Sequence, residues 1–178
     1  MADRPQADDH LADKRLEPPV AADEKATLVG FLDYQRQTLL LKCAGLSPEQ
    51  LIATAVPTSD LRLLGLVRHL ADVEFGWFAE TFLGEPEELI WGPGDADLLI
   101  AEADDGVVTE AFARYAAEVA RARTIVAEAE LDQLSVGVGS NGEPFSLRWI
   151  LVHMIEEYAR HNGHADLIRQ AIDGAIGE

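Results

Sequence analysis

Apolar residues recur every three or four positions along most of the chain, which is the spacing of an amphipathic α-helix. Asp23 and Ser146 are candidate N-caps, and Gly45 and Gly174 are candidate stops. The short run 134–138 is the one β-like stretch, and because glycines surround it we predict no strand. The pattern therefore predicts four long helices, at about residues 24–44, 61–83, 109–129 and 146–173.

Four amphipathic helices of this length are typical of an all-α fold, a four-helix bundle. Residues 1–21 carry prolines and charges without periodic apolar positions, so they are predicted to be a flexible tail ahead of a bundle domain at 22–178. The connection between helices 2 and 3, residues 84–108, holds eight acidic residues and no Lys or Arg. Loops of this length are often functional lids, and a solvated acidic surface loop remains the alternative.

Composition and charge narrow the class of protein. The 178 residues are 48% apolar and 26% charged, as in one globular domain. The 14 Lys and Arg face 32 Asp and Glu, a net charge of −18, which argues against nucleic-acid binding and against an anionic membrane surface. No apolar run reaches the roughly 20 residues that span a bilayer, and no secretory signal is evident, so a cytoplasmic location is expected. The single cysteine, Cys43, lies in an apolar helical stretch, which favours a small buried hydrophobe over a nucleophile.

The fourth helix carries titratable groups beside its apolar face. At about 100° per residue, the apolar positions from Leu147 to Ile172 occupy a sector about 80° wide. His161 falls inside that sector, while Glu157, His164 and then His153 follow along its edge. An ionised carboxylate at the boundary of a core is costly unless it is paired, and a bound metal ion is one such partner.

Glu157 and His161 are one helical turn apart, and His69 at the edge of the second helix offers a third ligand. A His, Glu, His set is typical of a catalytic site for zinc or for another imidazole-binding metal such as nickel, because structural zinc sites are rich in thiolates. Such an ion lowers the pKa of bound water or of a thiol. Two alternatives remain open: a core-edge histidine at position 69, and an internal hydrogen bond between Glu157 and His161.

The segment 149–169 resembles the last helix of the DinB/YfiT-like metalloenzyme superfamily, and 64–74 resembles the second helix of its uncharacterised actinobacterial branch. The resemblance covers residue 20 to the end and implies a four-helix bundle with ligands His69, Glu157 and His161. Many members have His-x3-His in the last helix, whereas Glu157 matches the mycothiol-dependent maleylpyruvate isomerases. Their separate C-terminal domain is not identifiable here, which leaves the substrate undetermined. Characterised relatives use the metal with a low-molecular-weight thiol, mycothiol or bacillithiol.

The leading hypothesis is a metal-dependent thiol transferase or isomerase, acting on a small-molecule thiol and an electrophilic substrate. His164 is the candidate catalytic residue, to orient a ligand or relay a proton. The alternatives are a hydrolase that activates water at the same ligands and a non-catalytic bundle that binds a partner. A homodimer is expected because related bundles often pair through helices.

Overall fold

The structure is a computed structural model that describes residues 15–86, 91 and 100–176. Long helices dominate these residues, in agreement with the predicted all-α fold. The elements are α1 (Glu24–Cys43), α2 (Pro48–Leu51), α3 (Leu63–Glu74), α4 (Asp105–Glu128), β1 (Leu134–Val138), β2 (Pro144–Ser146) and α5 (Leu147–Asp173). A π-helical segment, Phe75–Phe82, directly continues α3.

Local capping explains where the long helices begin. The side chain of Asp23 accepts a hydrogen bond from Ala26 N at the start of α1, and Ser146 accepts one from Trp149 N at the start of α5. Both bonds satisfy amide groups that the first helical turn leaves without a partner. The predicted bounds of the first and fourth helices are therefore confirmed to within one residue.

The four long helices pack as a DinB-like bundle around one apolar core. α1 lies along α5, α3 lies along α4, and α3 also touches α5. Leucines of α3 and the apolar face of α5 are completely buried, including Leu66, Leu70, Ile150 and Met154. Burial of these faces holds the helices together, and it sets α3 and α5 side by side where the predicted ligands lie.

The absence of strands was a wrong prediction. β1 and β2 form an antiparallel pair in which Leu134 faces Ser146 and Val138 faces Pro144, with an irregular register between them. The three residues of β2 are too few to show a period of two, and Gly137 interrupts the pattern in β1. The hairpin packs on the π-helical segment.

The helices also differ from expectation in three ways. The third helix was predicted to begin at about residue 109, but it begins at Asp105, because Asp104 caps it by accepting a hydrogen bond from Val107 N. The short α2 was not predicted, although Ser47 and Gln50 form a capping box there with Pro48 in the first turn. Apolar periodicity alone did not distinguish the π-helical segment from a continuing α-helix.

Residues 15–21 lie against α1 and contain no helix or strand. Arg15 donates a hydrogen bond to Thr38 Oγ1, and its guanidinium lies 4.4 Å from the Tyr34 ring centroid. Residues 1–14 of the predicted tail, and 87–90 and 92–99 of the predicted acidic loop, are outside the described residues. Among the helices that are described, none combines the length and the apolarity needed to cross a membrane.

Candidate metal centre

Three potential metal ligands converge between α3 and α5. His69 lies on α3, whereas Glu157 and His161 lie one turn apart on α5. Each offers one nitrogen or oxygen atom, and the three atoms all lie within 4.8 Å of one another. Residues four apart share a helix face, so α5 supplies two of the atoms, and its packing against α3 brings the third. The structure thus brings together the three residues that the sequence singled out.

The carboxylate of Glu157 lies between the two imidazoles. Its Oε1 atom is 3.4 Å from Nε2 of His69 and 3.1 Å from Nε2 of His161. The two rings meet edge to face, with centroids 4.8 Å apart. The side chains of His69, Glu157 and His161 are 21%, 17% and 10% exposed. The site is therefore shielded by protein on most sides and still reachable from solvent.

The electrostatics of the site favour the protonation states that a metal ion requires. Burial by itself raises the pKa of Glu157, but hydrogen bonding and positive charge from His69 and His161 outweigh it, and the pKa is lowered overall. Burial lowers the pKa of His161, and the positive charge of His69 lowers it further. Together these effects outweigh Glu157, which raises the pKa, so the pKa of His161 is lowered overall. An ionised carboxylate beside a neutral imidazole is the form in which these groups bind a metal ion.

The other two histidines at the edge of the apolar face of α5, His153 and His164, have different surroundings. Nδ1 of His164 lies 3.4 Å from Nδ1 of His161, so it faces the ring nitrogen that points away from Glu157. His153 instead contacts Trp77, with ring centroids 4.5 Å apart, and stacks on Trp149 at 5.1 Å. His164 therefore borders the candidate centre, whereas His153 belongs to an aromatic cluster one turn before Glu157.

A buried polar network under the site was missed by the sequence reasoning. Glu74 of α3 accepts hydrogen bonds from Nε and Nη2 of Arg36, at 2.7 and 2.6 Å, and from the hydroxyl of Tyr158, at 2.7 Å. Because the one hydroxyl hydrogen of Tyr158 is donated to Glu74, the oxygen of Tyr158 accepts a hydrogen bond from the hydroxyl of Tyr115, at 3.1 Å. Because Tyr158 directly follows Glu157, the network ties the ligand-bearing turn of α5 to α1 and α3.

A sequence signal for this network did exist. At about 100° per residue, Arg36 falls at the edge of the apolar sector of α1, next to Cys43, and Glu74 falls between Leu63 and Val67 in the apolar sector of α3. Opposite charges in or beside the apolar faces of two helices indicate a buried ion pair.

The donor set fits a divalent transition metal. Two imidazole nitrogens and one carboxylate oxygen are ligand types that zinc accepts, and nickel also binds imidazole. Three protein ligands leave a further coordination position, which is the pattern of a catalytic rather than a structural zinc site. The free thiol, Cys43, is 4% exposed and is not part of the group.

Comparison with known proteins identifies the family. The family model described as mycothiol-S-transferase matches residues 27–174, which is most of the chain. The chain belongs to the mycothiol S-transferase family. This membership confirms the resemblance to the DinB-like superfamily and associates the chain with thiol chemistry. The matched residues include most of α1 and all of α3, α4 and α5, and therefore every residue of the candidate centre.

Solved structures support the fold. A crystal structure described as the conserved protein of locus from Enterococcus faecalis aligns with a TM-score of 0.58 and 18% identity, over 87% of this chain and 100% of that chain. At this identity the likeness shows the fold alone: this member of the mycothiol S-transferase family shares the fold of the Enterococcus faecalis protein. No curated protein matches the chain.

Proposed function

We propose that this member of the mycothiol S-transferase family is a metal-dependent enzyme that joins the sulfur of mycothiol to an electrophilic substrate. The observation that carries the proposal is the convergence of His69, Glu157 and His161 in a chain of this family. Glu157 is a carboxylate at the edge of the core, where an unpaired charge costs free energy, and binding a metal ion would offset that cost.

The residues would hold zinc or nickel through Nε2 of His69, Oε1 of Glu157 and Nε2 of His161. When bound, the ion lowers the pKa of a thiol that ligates it and so keeps the sulfur as the nucleophilic thiolate. The single carboxylate of Glu157 offsets one of the two charges of such an ion, so the centre remains electrophilic enough to attract a thiolate.

His164 is proposed as a positioning residue. If Nε2 of His161 is the ligand atom, the proton of the neutral imidazole is on Nδ1, and the neighbouring Nδ1 of His164 accepts it in a hydrogen bond. Such bonds fix the orientation and tautomer of a ligating histidine. The network from Tyr158 to Glu74 and Arg36 secures the same turn of α5 from the core side.

Metal content of the tag-free protein tests the ligand set. We expect near-stoichiometric zinc or nickel in the wild type, and a large loss in His69→Ala, Glu157→Ala and His161→Ala. His153→Ala is the matched control, since this histidine is on the same helix and contacts Trp77 and Trp149 instead of the centre. Equal metal content in folded wild type and all three ligand variants would show that the assignment is wrong.

Thiol dependence tests the reaction. The metal-loaded protein is incubated with an aromatic halide electrophile, with and without mycothiol, and the thioether product is measured by mass spectrometry. In the expected reaction the thiol loses its proton, sulfur bonds to carbon, and halide leaves with the electron pair. Product that forms only with mycothiol and with intact ligands supports the transferase. Ester hydrolysis at the same ligands without any thiol would instead support the hydrolase.

A further inference from the structure

A second cleft, separate from the candidate metal centre, lies between α1 and α4. Its volume is about 220 Å³, and Leu151 of α5 forms part of its lining. Val29 and Leu32 of α1 and Val126 of α4 supply further apolar walls. α1 packs chiefly on α5, and α4 chiefly on α3, so the seam between α1 and α4 is where the bundle leaves space. None of the candidate metal ligands lines this cleft.

The cleft is rich in positive charge. Lys25, Arg36 and Arg123 line it, whereas Asp33 is the one carboxylate among its lining residues. The whole chain has only 14 Lys and Arg against 32 Asp and Glu. Three of those scarce cations thus gather at one apolar cleft of a strongly acidic protein. This combination of apolar walls and a few convergent charged groups is typical of a small-molecule site.

The cations are held in place by the protein. Arg36 is fixed at the base by Glu74 and by Asp33, which accepts from its Nη1 at 3.0 Å. Nζ of Lys25 is 2.7 Å from the carbonyl oxygen of Ala129. The guanidinium of Arg123 contacts Asp33 through Nε and Nη2, at 3.1 and 3.0 Å.

One guanidinium group at the cleft retains capacity for a ligand. In the part of the chain that the structure describes, the hydrogen bonds and ion pairs of Arg123 involve Nε and Nη2 but not Nη1. Its side chain lines the cleft and is 49% exposed, so the guanidinium group is reachable from solvent. A guanidinium already oriented by a carboxylate loses little conformational freedom when it binds an anion.

We propose that this cleft binds a small organic carboxylate, with its apolar body against Val29, Leu32, Val126 and Leu151 and its carboxylate at Arg123. The cleft volume of about 220 Å³ suits a ligand of the size of benzoate or hexanoate. A planar carboxylate suits a guanidinium, whereas the apolar walls disfavour a fully hydrated inorganic anion.

Calorimetric titration of the full chain with benzoate, hexanoate and the neutral benzamide tests the proposal. We expect both carboxylates to bind and benzamide to bind at least tenfold more weakly. Arg123→Met should weaken benzoate binding at least tenfold, because a charge-assisted hydrogen bond is lost. Arg114→Met is the matched control, an arginine of the same helix that pairs with Glu110 and lies outside the cleft.

A second variant tests the cavity itself. Ala127 lines the cleft and is exposed, so Ala127→Phe should fill the space and abolish binding without disturbing the core. Ala117→Phe is its control, at an exposed position of α4 outside the cleft. Binding that persists in both Arg123→Met and Ala127→Phe, or that shows no preference for a carboxylate, would overturn the proposal.

The candidate metal centre is the competing place for a carboxylate. His69→Ala separates the two, because it removes a metal ligand and leaves the cleft intact. Benzoate binding that is retained in His69→Ala and lost in Arg123→Met supports the cleft. The opposite result would refute the proposal. The absence of binding to the wild type at about 20 mM benzoate, roughly 20 times a millimolar Kd, would also refute it. Either outcome would leave the proposed transferase function untouched.

Discussion

Glu74 is the carboxylate of a completely buried ion pair, and its replacement by glutamine is the most informative stability test. Both of its oxygens accept hydrogen bonds from Arg36, and one also accepts from the hydroxyl of Tyr158. Burial lowers the pKa of Arg36, but Glu74 outweighs this effect and raises it above its ordinary range. The guanidinium therefore stays charged in the core, and Glu74→Gln leaves it without its main counter-charge.

The cost follows from the burial of both partners. The side chains of Arg36 and Glu74 are 4% and 0% exposed, so water cannot replace the lost carboxylate. Removing one partner of a buried pair costs about 3–5 kcal/mol. We expect the lower end, about 3 kcal/mol, because Asp33 still contacts Arg36 at 3.0 Å. For a chain of this size that is a fall in Tm of roughly 6–12 °C.

Thermal and urea unfolding of wild type, Glu74→Gln and a surface control measure the effect. Glu110→Gln is the control, because Glu110 pairs with Arg114 on the exposed face of α4, 61% and 47% exposed. Its stability should lie within about 0.5 kcal/mol of the wild type. Adding Arg36→Met to Glu74→Gln removes the unpaired cation and should restore at least half of the loss.

Two results would refute this reasoning. If Glu74→Gln costs no more than Glu110→Gln, the pair is not a desolvated unit. If Arg36→Met makes the Glu74→Gln protein less stable still, the loss came from packing and not from an uncompensated charge. Either result would also weaken the view that this network secures the ligand-bearing turn of α5.

Three further predictions concern single positions. Burial raises the pKa of Cys43 to about 12, so about one thiol in 10⁴ is ionised at pH 8. Labelling by a disulfide reagent should therefore be slow until the protein unfolds, and fast labelling of the folded protein would contradict this. His164→Ala should weaken metal binding about 10-fold or more in a chelator competition, through loss of the bond to His161; unchanged affinity would exclude a positioning role. Gly84→Ala should lower the free energy of unfolding in urea more than Gly45→Ala does. Both glycines have a φ of 75°, a conformation that costs about 1–2 kcal/mol for a residue with a side chain. Only at Gly84 would the added Cβ also clash, because it would lie 2.5 Å from Cγ1 of Val136.

Much of the helical framework was predictable because its signals are local. Asp23 and Ser146 each satisfy amide groups within three residues of their own position, so the starts of α1 and α5 can be located without knowing the rest of the fold. Elements without a strong local signal were missed: the three residues of β2 become a strand only through pairing with β1.

The candidate site divides in the same way. The spacing of Glu157 and His161 puts both on one face of any helix. His69 was proposed as the third ligand from its place at the edge of the second helix, and the resemblance to a known superfamily implies the same residue. The distance of 3.4 Å between His69 and Glu157 depends on how α3 packs against α5, which no local pattern contains. The contact of His153 with Trp77 also depends on tertiary packing, whereas its stacking on Trp149 and the contact of His164 with His161 lie within α5.

The sequence by itself thus determined most of the long helices and their buried faces, and it singled out all three candidate ligands. Only Glu157 and His161 are placed on one face by local spacing, since they lie one turn apart. The tertiary structure decided which helices are neighbours. That choice paired Arg36 with Glu74 across 38 residues, put His69 beside Glu157 across 88, and left the cleft between α1 and α4. The reason is physical: burial of apolar faces and pairing of buried charges are satisfied between helices, and the energies that select one arrangement arise only once the helices meet.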